Sequence, residues 1–509
     1  MPATKPNLSQ ILTSVASILI RINYQAYIVG GFVRNWLLGR EIDDIDIAVR
    51  GDALEVAKEV AGCFGGKYVL LDEANGVARV VVTDWEQRVY LDFAMFSNTI
   101  EEDLERRDFT INAMAVEFND FISGSPHLID PFQGKRDLEK KLIKAVRQRI
   151  FKDDAARLLR AVRLAAELDF KIEPETEQLI KRYSQLIKSV PGERLREELL
   201  RILALPHSSD LLRYLDRLNL LTEMIPDLED LRDVEQPREH YWDVFKHSLE
   251  TVAAIEFLLC KRDWQYGSSD LLKVIPWSEE IKEHFDEDIS NDSSRMIMLK
   301  IGGLLHDVAK PQSRTIDATG RMRFIGHAKQ GAAKVSVILN RLRFSSREIK
   351  LVEKLVCYHL RPVQMANVGL PSSRAIYRYF RDTGDAGIDV LFLALADYLA
   401  ARGPNLDIKE WEQHNSLIGY IIAEHQDQQS KLLPVKLIDG HDLISIFGLT
   451  SGPLVGKLLR LVCEAQATGE VGSREEALAL IRKKLDKECR GGHCGVISSV
   501  ASKANASVC

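Results

Sequence analysis

Between residues 30 and 49 the chain reads GGFVRNWLLGREIDDIDIAV, which sets Asp43, Asp44 and Asp46 among isoleucines just past a glycine pair. If this stretch is a strand, successive side chains alternate between faces. Asp44 and Asp46 then share one face while Ile45 and Ile47 enter a core. Two carboxylates held that close repel, and a divalent cation bound through oxygen ligands relieves them. A lone D-x-D is more often a solvated turn, so the surroundings decide. Farther on, VYLDFAMF carries Asp92 on the strand face of Tyr90 and Ala94. On a strand adjacent to the first, Asp92 completes a cradle for two divalent ions. Such ions, about 3.5 to 4 Å apart, activate an attacking hydroxyl and stabilise a leaving pyrophosphate in an in-line displacement. Gly30 and Gly31 make a tight turn before a helix whose amino end, with Arg34, faces phosphate oxygens.

A second constellation lies far downstream: His247 in DVFKHSLETV, His306 and Asp307 in LLHDVAK, and Asp397 in LALADYLA. A single histidine on an apolar helix is usually a satisfied core residue. An adjacent His-Asp pair, flanked by a histidine upstream and an aspartate downstream, is instead a nitrogen and oxygen donor set suited to a transition metal or magnesium.

The elements that must carry these residues differ in texture. Residues 25 to 145 alternate short β-like runs (AYIVG, ARVVVTD, RVYLDFAMF) with helical segments, which indicates a small sheet with helices. From about residue 150 the apolar spacing becomes three and four, as in ARLLRAVRLAAELDF and LREELLRILAL, so the remainder reads as helical. The acidic and serine-rich stretch from 278 to 294 reads as a loop, and the tail from about 488 as frayed. The fold class is therefore α+β.

At 509 residues the chain exceeds one core, and about three or four domains are expected. Hydrophobic residues at 46% and charged residues at 28% describe a soluble globular protein with no apolar run of spanning length. The apolar patch from Ile11 to Ile20 carries polar residues at helical intervals and reads as an amphipathic helix rather than a signal sequence, so a cytoplasmic location and no membrane partner are expected. Seven scattered cysteines argue for reduced thiols, and the Cys489, His493, Cys494 group lacks the second half of a metal site. A net charge of −6 does not advertise nucleic-acid binding. Between Lys135 and Arg163, however, eleven basic residues face four acidic ones, a stripe read here as contacting phosphate.

Taken together, these motifs resemble the class II tRNA nucleotidyltransferase and bacterial poly(A) polymerase family, a branch of the polymerase-β-like nucleotidyltransferases with an HD domain. The resemblance runs from about residue 25 to 485. It implies that GGxVRDxLLG and D-x-D bind triphosphate and magnesium through Gly30, Gly31, Arg34, Asp44 and Asp46, with Asn35 standing where the family usually has aspartate. RRDFTINAMA resembles the ribose-reading segment and places that role on Arg106, Arg107, Asp108, Asn112 and Ala113; aspartate and asparagine exchange hydrogen bonds with ribose hydroxyls. DPFQGKRDLEKKLI, with Asp130, Gly134 and Asp137, matches a linking motif of scaffold character.

In FKDDAARLLRAVR, Asp154 and Arg157 stand three apart and are expected on one helical face, with Arg160 beyond them. An Asp/Arg pair selects the amino-bearing edges of cytosine and adenine over uracil and guanine, so CTP and ATP would be chosen without a nucleic-acid template. The family motif is EDxxR, and Asp153 replaces its glutamate. GERLREELLRIL, with Glu193, Arg194 and Glu198, matches a segment that braces the neck helices. His247, His306, Asp307 and Asp397 resemble an HD phosphohydrolase site, with His327 and His359 as additional ligands of a divalent metal.

The resemblance divides the chain into an N-terminal helix (1–24), a mixed-sheet catalytic head (25–149), a helical neck and RNA-binding domain (150–235), an HD domain (236–410), a helical tail domain (411–488) and a flexible tail (489–509). It implies addition of C, A or both to the 3′ end of tRNA. Poly(A) polymerase, or an HD phosphohydrolase with an RNA-binding head, are the alternatives. Relatives that add all of CCA carry a loop of about ten to twenty residues between the third-carboxylate strand and the ribose motif, the kind of long loop that tends to be functional. Here only a few residues around Ser97 and Asn98 stand there, which suggests addition of CC alone with a separate A-adding enzyme acting in sequence.

Overall fold

The computed structural model describes residues 8–41, 44–84, 87–290, 293–366, 369–431 and 437–490. Asp43, His493, Cys494 and the tail beyond residue 490 lie outside them, as does the side chain of Cys489, whose backbone belongs to the helix Arg474–Arg490. Two compact units, Met1–Pro226 and Asp227–Cys509, divide the chain. Among the described residues no helix is long and apolar enough to cross a membrane.

The first unit opens with α1 (Leu8–Ile22), amphipathic as its spacing predicts: Ile11, Leu12, Val15, Ala16, Ile18 and Leu19 are buried while Ile20 is exposed. A seven-stranded mixed sheet follows. Its strands are β1 (Gln25–Val29), β2 (Asp44–Arg50), β3 (Lys67–Asp72), β4 (Val77–Asp84), β5 (Gln87–Met95), β6 (Ala115–Glu117) and β7 (Leu128–Ile129), in the order β3-β4-β5-β2-β1-β6-β7. β2 and β5 run parallel and the other neighbours antiparallel. The crossover between β2 and β5 includes α3 (Ala53–Phe64), which starts where the Asp52 carboxylate accepts from Leu54 and Glu55 N–H and stops at Gly65 in the left-handed region. Its buried stripe of Val56, Ala57, Val60 and Ala61 covers one face of the sheet, into which Ile45, Ile47, Leu91 and Phe93 point. The opposite face carries the acidic residues beside a second apolar cluster that includes Tyr27, Val29, Ala48, Phe96, Ile100 and Leu104.

Helices then dominate, with exceptions. A parallel ladder of Leu142–Ile143 with Lys171–Ile172 interrupts the segment read as helical. In the second unit, Arg314–Ile316 and Met322–Phe324 form a hairpin. The 278 to 294 stretch is not a plain loop: Ser278 caps a helix, Glu279–Asp286, and Asp288–Ser290 pairs with Ser293–Ser294. Acidic composition hid a helical signal there, because Ile281 and Phe285, four apart, are enough to seat the helix.

The core of the second unit is built from helices Val244–Cys260, Arg295–Leu305, Ser346–Tyr358 and Gly387–Arg402. Close approach of the first two is set at Gly303, where a Cβ would stand 2.7 Å from the Ile255 methyl. A separate cluster, including Leu443, Leu458 and Ile481, holds helices Gly440–Phe447, Pro453–Ala467 and Arg474–Arg490 together.

Candidate functional site

The face of the sheet opposite α3 gathers the acidic residues as the period-two pattern requires. Asp46 of β2 is paired in register with Asp92 of β5, and Asp44 with Tyr90. Asp44 is exposed, and Asp46 and Asp92 are half-buried. Gly30 ends β1 at φ +68°, where a Cβ would lie 2.7 Å from Asp46 Oδ2 and 2.8 Å from Arg107 Nη1, so the turn admits only glycine. Gly31 opens α2 (Gly31–Leu38), and its N–H donates to Asp46 Oδ2 at 3.2 Å. Burial, then the neighbouring Asp92, push the Asp46 carboxyl above the usual aspartate range, against the pull of Arg107 and the Gly31 N–H. Arg107 lies beside Asp46 and Arg79 beside Asp92, and the paired carboxylates are oxygen donors of the kind that hold a divalent cation.

Around the pair lies a polar network. Arg34 donates to Asn112 Oδ1 (2.7 Å) and twice to Asn35 Oδ1 (3.0 and 2.9 Å), so its guanidinium is held by amide oxygens. Asn35 therefore orients Arg34 without neutralising it, and the cation keeps its charge for an anion. Asn112 donates to Asp108 Oδ1 (3.1 Å), which also accepts the Phe109 N–H (2.7 Å), and Arg160 pairs with Asp108 Oδ2 at 2.9 Å. Burial opposes ionisation of Asp108, yet Arg160, Asn112 and the Phe109 N–H together hold its carboxyl below the ordinary range. Arg107 pairs with Asp103 at 3.1 Å, and Ala113 is fully buried. Asp130 caps the helix Gly134–Glu139 through the Gly134 and Lys135 N–H groups, and Asp137 accepts from the Thr110 hydroxyl, an arrangement of scaffold character.

The expectation for Asp154 and Arg157 needs correcting. They do not share a helical face: one helix ends at Asp153 and the next begins at Arg157, with Asp154 extended between them (φ −153°, ψ 105°). The Asp154 carboxylate accepts the Ala156 N–H two residues on, a local bond that competes with helix continuation. The two side chains still approach, at 3.9 Å, but Asp154 is held by Arg194 through two bonds of 2.8 Å, and Arg157 donates to the Arg106 carbonyl at 2.9 Å. Glu198 grips Arg163, which also pairs with Glu167, and so ties helix Arg157–Leu168 to helix Gly192–Ala204. Asp153 pairs with Arg147 and Arg149.

The basic stripe thus divides. Arg147, Arg149, Arg160 and Arg163 are committed to carboxylates, whereas Arg136, Lys140 and Lys144 line an open cavity of about 460 Å³.

In the second unit six of the expected donors converge. His247 Nε2 lies 2.9 Å from Asp397 and 3.2 Å from His306 Nε2. His306 meets Asp307 at 3.0 Å, and His327 and His359 approach its other oxygen at 3.3 and 3.8 Å. The Nδ1 atoms of His306, His327 and His359 are bonded to the carbonyls of Gly303, Phe324 and Val356, which turns each Nε2 toward the carboxylates as metal-ligating histidines require. Burial opposes protonation, but Asp307 and Asp397 push the His306 imidazole up to about 10, and burial holds His359 down to about 4. Asp307 also takes Lys310 Nζ at 2.6 Å, and the histidine and carboxylate donor set is of a kind that fits a divalent metal. It opens on a cavity of about 390 Å³ with Lys310, Arg323 and Arg402 in its wall.

Three participants escaped the sequence reading. Arg79 on β4 binds both Asp92 oxygens at 2.7 Å. Arg194, expected only to brace helices, holds the candidate base reader. His240 joins His247 and Asp397 as a third possible donor group, from an irregular segment with no periodicity to flag it.

Three family descriptions match in chain order: Poly A polymerase head domain over residues 26–144, Probable RNA and SrmB- binding site of polymerase A over 169–231, and HD domain over 244–402. The chain is 32% identical over 465 residues to the A-adding tRNA nucleotidyltransferase of Deinococcus radiodurans, covering 90% of this chain and 95% of that protein. It is also 32% identical over 464 residues to the CC-adding tRNA nucleotidyltransferase of Thermus thermophilus, covering 90% and 93%. Its fold matches the Thermotoga maritima CCA-adding enzyme complexed with tRNA_CCA at a TM-score of 0.58 and 24% identity, over 95% of this chain and 97% of that one. A CCA-adding enzyme solved with ATP matches at 0.62 and 22% identity, over 95% of each chain. A mixed-sheet head with its carboxylates aligned across β2 and β5, helices after it and an HD cluster, combined with this likeness over nine-tenths of the sequence, place the chain in the class II tRNA nucleotidyltransferase and poly(A) polymerase family with an HD domain.

Proposed function

We propose that this protein adds cytidine, adenosine or both to the 3′ end of tRNA from CTP and ATP without a nucleic-acid template. The observation that carries the reading is the row of Asp46 and Asp92, with Asp44 one step along, beside the Gly30–Gly31 turn. Asp44 and Asp46 would hold magnesium, with Asp92 as the third carboxylate; when bound, it supplies the Lewis acidity that activates the terminal hydroxyl and stabilises pyrophosphate. The chain's own residues do the rest. Arg34, charged but held by amides, binds the triphosphate near the start of α2. Asp108 and Asn112, with Arg107 beside them, set the ribose pocket. Asp154 and Arg157 read the base edge, with Arg194 aligning the carboxylate.

We favour addition of CC alone. Only Phe96–Thr99 link β5 to the helix Ile100–Glu105, a connection too short to act as a lever on the base-reading residues. An A-adding enzyme would then complete the end. Relatives of nearly equal identity are named A-adding and CC-adding, so the names do not choose between them. The test incubates tRNA lacking the terminus, C-ended tRNA and CC-ended tRNA with each nucleotide singly. Two cytidines on the first substrate and no extension of CC-ended tRNA by ATP are expected. Efficient conversion of CC to CCA overturns the CC-only reading, and long adenosine tails on unrelated RNA favour a poly(A) polymerase.

A second activity is favoured by the buried His-Asp cluster: metal-dependent hydrolysis of a phosphoester. His247, His306, Asp307 and Asp397 would hold the metal, His327 and His359 would add to it, and Lys310, Arg323 and Arg402 would receive the phosphate.

A further inference from the structure

Cytosine and adenine both offer an exocyclic amino group, so a reader made of Asp154 and Arg157 accepts either edge. What separates a pyrimidine from a purine at such a reader is distance, because the larger base needs the pair set farther from the ribose pocket. Several contacts fix that distance. Residues 144–146, just before the reader, run antiparallel beside the ribose segment: the Thr110 N–H donates to the Lys144 carbonyl at 2.9 Å and the Val146 N–H to the Asp108 carbonyl at 3.1 Å. From the end of that stretch Arg147 reaches in two directions. Its Nη2 donates to Asp153 Oδ2 at 3.0 Å, and its Nη1 stands 3.7 Å from Glu105 Oε1. Arg149 takes the other Asp153 oxygen at 3.1 Å. Asp153 closes the one-turn helix Ile150–Asp153, so the residue directly before the reading carboxylate is held. Glu105 closes the helix Ile100–Glu105, which follows the short link at 96–99. The next residue, Arg106, accepts from Arg157 at its carbonyl, and Asp103 of the same helix pairs with Arg107.

We propose that Arg147 is a positioning residue that clasps the base-reading turn to the end of helix Ile100–Glu105 and so holds the nucleotide pocket at a depth that suits a pyrimidine. A guanidinium can do this because its planar fork addresses two carboxylates from different edges, which a compact ammonium cannot. The side chains of Arg147 and Asp153 are 30% and 26% exposed, so their pair is only partly screened by water, whereas Glu105 at 52% makes the weaker end of the clasp. Releasing Arg147 lets the turn move away from the ribose segment, and the pocket then admits adenine. This inference rests on reading Asp154 and Arg157 as the residues that meet the base.

The experiment measures kcat and KM for CTP, UTP and ATP singly, with the full-length protein and tRNA lacking the terminus. The wild type is expected to prefer CTP. Arg147→Met should lower the preference for CTP over ATP about tenfold, mainly through a lower KM for ATP, while the preference for CTP over UTP, which depends on the edge and not on depth, moves by less than about twofold. Glu105→Gln should shift the CTP-to-ATP ratio less and in the same direction, and the double variant should match Arg147→Met alone, because both changes open one clasp. Arg147→Lys, which keeps the charge but cannot span both carboxylates, should fall between. Loss of folding lowers all three nucleotides alike, so the ratio reports the pocket, and Glu105→Gln carries the test if the methionine variant does not fold. An unchanged CTP-to-ATP ratio in folded variants, or one that falls in step with CTP-to-UTP, overturns the inference. An Asp154→Ala variant that chooses as sharply as the wild type removes the base-reading assignment instead, which is a different result.

Discussion

Removing the Arg163 guanidinium tests how helix Arg157–Leu168 is fastened to helix Gly192–Ala204. Arg163 is 5% exposed and holds Glu198 at 2.7 Å and Glu167 at 2.8 Å. Replacement by methionine keeps the aliphatic packing but strands two carboxylates. Breaking a fully buried ion pair by deleting one partner costs about 3–5 kcal/mol, because the other charge is left desolvated. The side chains of Glu198 and Glu167 retain 14% and 31% exposure, so water recovers part of that cost. A loss of roughly 2–3 kcal/mol is expected for Arg163→Met, which for a unit of this size lowers Tm by about 5–10 °C. Because the chain has two units, the assay is hydrogen exchange during urea unfolding, read on peptides from residues 150 to 205. Glu198→Gln in the Arg163→Met background should restore part of the loss, since it removes a stranded charge. A cost below about 1 kcal/mol with no coupling to Glu198 would refute the reasoning. Asp154 and Arg194 bridge the same two segments, so a loosened clamp should also raise UTP incorporation relative to CTP.

Arg194→Gln should relax the choice between CTP and UTP by about tenfold while leaving Mn2+ binding intact, because the carboxylate it aligns loses both bonds; unchanged competition between the two nucleotides would remove Arg194 from base selection. Asp108 has a depressed carboxyl, so its stabilisation is present above the ordinary aspartate range and lost as pH falls through the lowered folded value; Asp108→Asn should flatten the acid limb of first-unit stability in urea titrations between pH 5 and 2. His306→Ala and Asp307→Ala should each cut the divalent metal that copurifies or rebinds after chelation, measured by elemental analysis, and equal metal content in both variants and wild type would leave the cluster structural. Lys140→Glu with Lys144→Glu should raise KM for tRNA but not for CTP and flatten the salt dependence of tRNA binding by about two phosphate contacts.

The acidic row was legible because period-two alternation is local: each residue's face follows from its neighbours alone, and Asp44, Asp46 and Asp92 needed only that β2 and β5 be adjacent. Arg79 was not legible. Its partner depends on the β4–β5 register, and an arginine within ARVVVTD looks like any polar residue on a half-exposed strand. Asp154 and Arg157 show the opposite failure. Their spacing is helical, but an aspartate that bonds its own downstream N–H breaks the helix at the very place where helical geometry was assumed. The second-unit cluster was found from the adjacent His306 and Asp307, and the flanking donors followed in order. His240 was missed because it lies in irregular chain, where proximity is set by tertiary packing.

The link Phe96–Thr99 bears on how specificity could change over evolutionary time. It connects two elements that stay anchored whatever its length: β5 by ladder bonds to both neighbours, and Ile100–Glu105 by the buried Ile100 and Leu104 and the Thr99 cap. Closing a longer loop between fixed ends costs only about 0.6 kcal/mol per doubling, so growth from four residues to sixteen costs about 1.2 kcal/mol. That is less than most truncations of a core leucine. A lineage carrying this head can therefore gain or shed a long loop here by one insertion or deletion, with little stability at stake, and selection on the tRNA end product is left to decide which length persists.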